Sequence, residues 1–211
     1  MKRLLNREGI GISLVVLALV ALLLAWLAPN DVTLKNTSKV VYIHGALVWT
    51  AMLTLTAAGV VGLAALAVMP LKQDNALHAW TLALGRTGLV FWVAYMPVSM
   101  LASQMAWNAV FLAEPRYTTA FRVLAIGVIV QMLVFLFNRP VISSVLHAAQ
   151  AAIMWVMLLT TPSILHPNNP ILRSVPSIQF FFGLIVLACG VAALQVARLM
   201  SGFRERLERL K

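Results

Sequence analysis

The stretch "VVYIHGALVWTAMLTLTAAGVVGLAALAVM", residues 40–69, decides the fold class. It runs for thirty residues without an Asp, Glu, Lys or Arg. A bilayer core about 30 Å thick is crossed by roughly 20 apolar residues in a helix, so this run is long enough to tilt or to project a turn beyond the membrane. The rest of the chain follows the same pattern. Of its 211 residues 62% are hydrophobic and the mean hydropathy is +0.92, where a soluble domain is only about half apolar. The expected fold is all-α: a polytopic integral membrane protein forming one six-helix domain over residues 1–211.

Six spans are expected, at about 10–28, 40–69, 87–104, 117–137, 141–161 and 177–199. The first follows the basic head "MKRLLNREG", and its apolar run exceeds the 7–15 residues of a signal-peptide core, so it reads as an uncut anchor. Pro29, Pro70, Pro140, Pro162 and Pro176 sit at or near span ends, where a missing N–H costs least. Pro97 falls inside the third span and is expected to kink it. In "AAGVVGLAAL" the small residues Gly59, Gly62 and Ala65 read as a surface for close helix packing.

The net charge of +10 is a topology signal rather than a nucleic-acid footprint, because the cations sit in short loops between spans. One side collects Lys2, Arg3, Arg7, Lys72, Arg86, Arg139, Arg198, Arg204, Arg206, Arg209 and Lys211; the other has Lys35, Lys39, Arg116, Arg122 and Arg173. The richer side, with both termini, is expected in the cytoplasm. The basic tail, residues 200–211, then reads as a solvated, lipid-facing topology anchor. Cys189 is the one cysteine. Without CxxC or CxxCH the chain is neither a thiol–disulfide carrier nor itself a c-type cytochrome. It also lacks a Walker loop and an HExxH motif, and six acidic residues argue against a carboxylate relay.

With this topology, polar residues sort by depth. His44 lies near the outer end of the second span, and His166 just past the outer end of the fifth, in "TTPSILHPNNP". Between them the outer loop "MAWNAVFLAEPRYTTAF" carries Trp107, Glu114, Arg116 and Thr118. Two histidines at matched depth suit bis-imidazole ligation of haem iron, with an aromatic shelf between them and Arg116 or Arg173 pairing with propionates. Depth alone leaves open the plainer reading of interfacial histidines satisfied by water or headgroups. His78 and His147 match in depth near the inner face and form a second possible ligand pair. They can equally be unrelated, each bonded to a backbone carbonyl.

These residues resemble the cytochrome c maturation protein C (CcmC) family of haem-handling membrane proteins over about residues 10–200. "SKVVYIHGALVWTAM" is similar to that family's second-span entry, with a Tyr, an aliphatic and a His followed by small residues and a Trp. "SILHPNNPILRSVPSIQFFFG" is similar to its last periplasmic loop. The family's tryptophan-rich motif is only partly kept. Trp107 opens it, Phe111 and Ala113 fill later aromatic positions, Glu114 stands for the Asp, and Arg116 and Thr118 fall in register.

The resemblance implies that His44 and His166 are axial ligands of a non-covalent haem b, with Trp107 and Phe111 on the shelf and Arg116 on a propionate. It further implies haem delivery to apocytochromes on the periplasmic side of the cell inner membrane. In that family an ABC-type ATPase complex and a haem chaperone work alongside, and no covalent chemistry on a substrate is expected of the chain itself. Two other readings stand beside it. One is a redox subunit of a respiratory complex, with two b haems (His44/His166 outside, His78/His147 inside) exchanging electrons with quinone. The other is a structural membrane subunit that no longer holds haem.

Overall fold

The computed structural model describes residues 7–68, 76–162, 164 and 174–208. It contains six helices: α1 (Arg7–Leu27), α2 (Ser38–Val68), α3 (Ala76–Trp107), α4 (Pro115–Phe137), α5 (Pro140–Thr160) and α6 (Pro176–Glu208). Each carries a stretch long and apolar enough to cross a membrane, and among the described residues no strand forms beyond an isolated Asp31–Lys35 bridge. This is the architecture of a multi-pass membrane protein. Lipid offers no partner for backbone N–H and C=O groups, so each span satisfies its own as a helix.

Local chemistry sets the helix ends. Pro115, Pro140 and Pro176 each open a helix, where the absent N–H would have had no intrahelical acceptor. At α4 the Glu114 carboxylate accepts the N–H groups of Arg116 (2.8 Å) and Tyr117 (3.2 Å). Asn138 closes α4 in the left-handed region at φ 45°, its N–H on Val134 O. At the α1–α2 corner Asp31 accepts the N–H groups of Thr33 and Leu34, and Tyr42 donates to Pro29 O at 2.9 Å. Lys39 donates to Trp26 O and Ala28 O, placing a cation on the negative end of α1.

Two boundaries differ from the sequence reading. α3 begins at Ala76, well before residue 87, so His78 lies on its first turn rather than in a loop. His78, Arg86 and the threonines lower the hydropathy of the start of α3, but His78, Thr81 and Thr87 are buried against neighbouring helices. Hydropathy averaging misses polarity that is hidden in a contact. α6 continues to Glu208, carrying helix into the basic tail. α3 also runs on through Pro97 as one unbroken helix.

α2 is the hub, packing on α1, α3, α5 and α6, while α4 packs on α5 and α3. Among the described residues α2 and α4 do not meet. Small residues hold the helices together toward the end where α2 finishes. A Cβ on Gly59 would lie 2.6 Å from Ala151 Cβ, and one on Gly62 would lie 2.8 Å from Ser144 O. A Cβ on Gly85 would overlap the His147 ring. These are close approaches of the kind small residues permit between membrane helices.

Toward the other end the bundle steps. From the contact of Gly59 with Ala151, α2 continues to Ser38 while α5 stops at Thr160, about 32 Å against about 14 Å along each axis. From the Trp92–Ala120 hydrogen bond, α3 continues to Trp107 while α4 starts at Pro115, about 22 Å against about 8 Å. The α2–α3 pair therefore stands above the ends of α4 and α5, and large side chains meet at that step.

Candidate functional site

A cavity of about 630 Å³ occupies the step, bounded by α2, α3, α4 and α5. Its size falls in the range of roughly 300–1,000 Å³ typical of small-molecule sites. α2 contributes His44, Val48, Trp49 and Met52; α3 contributes Trp92, Tyr95 and Ser99. The first turns of α4 add Arg116, Tyr117, Thr119 and Ala120, and the last turns of α5 add Trp155, Leu158, Leu159 and Thr161, with Pro162 beyond. His44, Val48 and Met52 recur every fourth residue, so one face of α2 forms the tall wall.

The aromatic rings here are fixed by their polar atoms. Trp92 Nε1 donates to Ala120 O at 3.0 Å, and its ring meets Tyr95 edge-on at 5.1 Å. Tyr95 faces His44 at 5.8 Å between ring centres, tilted by 54°. Trp155 Nε1 donates to Thr56 Oγ1 at 2.8 Å, tying α5 to α2. The Tyr117 hydroxyl meets Ser103 Oγ at 2.6 Å and accepts from Ser99 Oγ at 3.2 Å. The hydroxyls of Thr119 and Thr161 meet at 2.7 Å. A buried indole or phenol needs such partners, and here they also lock the walls.

The resulting chemistry is amphipathic. Indole and phenol rings supply flat apolar surface, His44 supplies an imidazole, and exposed Arg116 supplies a cation at the rim. Among the described residues no three His, Cys, Asp or Glu side chains gather to hold a metal ion. An imidazole on an aromatic wall could hold a metal that a ligand brings with it, and the guanidinium could pair with that ligand's carboxylates.

Of the residues singled out from sequence, His44 and Arg116 line the same cavity. Trp107 ends α3 and Phe111 lies in the following loop; both are exposed, and neither is among the residues lining the cavity. His166 and Arg173 lie outside the described residues. Glu114 acts as the α4 cap. Sequence reading missed Trp49, Trp92, Tyr95, Tyr117 and Trp155 as the aromatic lining. The available signal was the demand of Trp92 and Trp155, inside apolar spans, for an N–H acceptor.

His78 and His147 are brought to adjacent helices. His78 Nδ1 meets Ser144 Oγ at 2.7 Å, one turn from His147. His147 Nδ1 lies 2.7 Å from Ser143 O. A carbonyl only accepts, so Nδ1 is assigned the proton and Nε2 accepts from Gln131 Nε2 at 3.1 Å. Both ring nitrogens of His147 are thus bonded within the protein, with Gly85 against the ring. One turn further along α5, Gln150 is 2% exposed, and neither of its amide atoms has a hydrogen-bond partner. Compared with known proteins, the chain matches no protein-family model, and no curated protein matches it.

Proposed function

We propose that this chain is a haem-handling membrane protein of the cytochrome c maturation protein C type, which holds haem b in the stepped cavity for delivery at the outer face of the cell inner membrane. The observation that carries the reading is that His44 and Arg116 line one cavity walled by indole and phenol rings. His44 would supply one imidazole nitrogen to hold the iron, and His166, through the family resemblance, the other. Arg116 would pair with the propionates at the rim, and Trp49, Trp155 and Tyr95 would cover apolar faces of the macrocycle. Bound haem would supply an iron centre able to take two imidazoles. The chain's own work is to bind, orient and shield it. Both termini would face the cytoplasm. An ABC-type ATPase complex and a haem chaperone are the partners this reading carries with it.

The test is haem titration of the purified protein, read by optical spectrum and pyridine haemochrome. One haem per chain with a low-spin b-type spectrum is expected. His44→Ala should weaken haem binding by at least about tenfold, a scale that even outer-shell changes reach at metal sites. Unchanged haem content in His44→Ala and His166→Ala refutes the ligand assignment. Two haems per chain, reducible by a quinol, would replace this reading with the redox subunit.

A further inference from the structure

The walls of the cavity are unequal. Inward it is closed: Trp92 is tied to Ala120 O, Met154 is 1% exposed, and α2 and α5 touch through Gly59 and Ala151. Between α2 and α5 the Trp155–Thr56 bond at 2.8 Å is a polar tie. Outward of that tie, Trp49 and Leu159 both line the cavity and are 38% and 77% exposed. Side chains that face a cavity and the surroundings at once are the edges of an opening. Measured from the Gly59–Ala151 contact, they stand about 15 Å and about 12 Å along their helices, so they flank the gap at nearly one level. Both belong to segments apolar enough to cross a membrane, so the gap opens on lipid.

We infer that the cavity exchanges its ligand sideways with the adjoining membrane leaflet, through an opening between α2 and α5 edged by Trp49 and Leu159. The ligand class is then an amphipathic anion that partitions into lipid: its flat body passes between the two side chains and its acid groups stay level with Arg116. This rests on the haem reading of the cavity and adds the route. A ligand arriving from water would instead pass the rim at Arg116 and Pro162.

The probe is zinc protoporphyrin bound to the full chain in lipid nanodiscs, with its fluorescence quenched either by lipids brominated on the acyl chains or by aqueous iodide. Brominated lipid should quench the bound porphyrin, and Leu159→Trp, which fills the gap, should remove most of that quenching. Trp49→Ala, which widens the gap, should increase it. Quenching by iodide alone, or lipid quenching untouched by both substitutions, overturns the lateral opening while leaving the haem site standing. Absence of any saturable, haem-competed porphyrin binding overturns the haem reading and this route with it.

Discussion

Replacing Gly85 by Ala tests the closed half of the bundle. The new Cβ would overlap the His147 ring, which is 1% exposed and held by Ser143 O at 2.7 Å and Gln131 at 3.1 Å. The ring cannot turn aside without giving up at least one of these bonds. Overpacking a well-filled interior costs about 1–3 kcal/mol, and a lost hydrogen bond adds about 1 kcal/mol. The better helix propensity of Ala returns about 0.8–1.0 kcal/mol, leaving a net loss of about 1–3 kcal/mol. A chain of this length shifts its melting temperature by about 2–4 °C per kcal/mol, so Gly85→Ala should melt about 2–12 °C lower. Cys189 supplies the assay: it is the one cysteine, 8% exposed in the core cluster, so a thiol-reactive fluorophore reports unfolding in detergent. Gly183→Ala is the control, because a Cβ there meets nothing within 4 Å. It should melt at or above the wild-type temperature. Adding His147→Ala to Gly85→Ala should give less than the sum of the two single losses, since the ring causing the clash is gone. Equal melting of Gly85→Ala and Gly183→Ala would refute the proposed packing.

The same melting assay checks two other expectations. Gln150→Met removes a buried amide with no hydrogen-bond partner and keeps a similar length, so it should stabilise by about 1 kcal/mol or more; a lower melting temperature would contradict the burial argument. Glu114→Ala removes the acceptor for the N–H groups of Arg116 and Tyr117 and should cost about 1 kcal/mol. Glu114→Gln, which keeps an acceptor, should lose less, and equal melting of both with wild type would show that the cap contributes nothing.

Prolines and hydropathy between them located the spans, because both act locally: a run of apolar residues without charge has no stable place except lipid or a core, and Pro140 and Pro176 mark helix starts whatever the helices pack against. Gly59 and Gly62 were also readable, since only small residues permit such approach. The start of α3 was not. Its first turns look polar in sequence, and His78 is hidden only once α3 packs on other helices, with Ser144 as one partner.

What the sequence determined by itself was six apolar helices, with His44 near the end of the second and Arg116 near the start of the fourth. It also suggested an aromatic shelf in the loop holding Trp107 and Phe111. Tertiary structure decided that the rings around His44 come from Trp49, Trp92, Tyr95, Tyr117 and Trp155 instead. The physical reason is that these helices are apolar on every side, so hydropathy has no preferred face with which to state their rotation. Rotation is set by shape, by glycines admitting a facing helix at one end and by indoles demanding acceptors at the other. Such matches exist only between segments far apart in the chain. The unequal lengths of α2, α3, α4 and α5 then become a step only once those matches fix how the helices align.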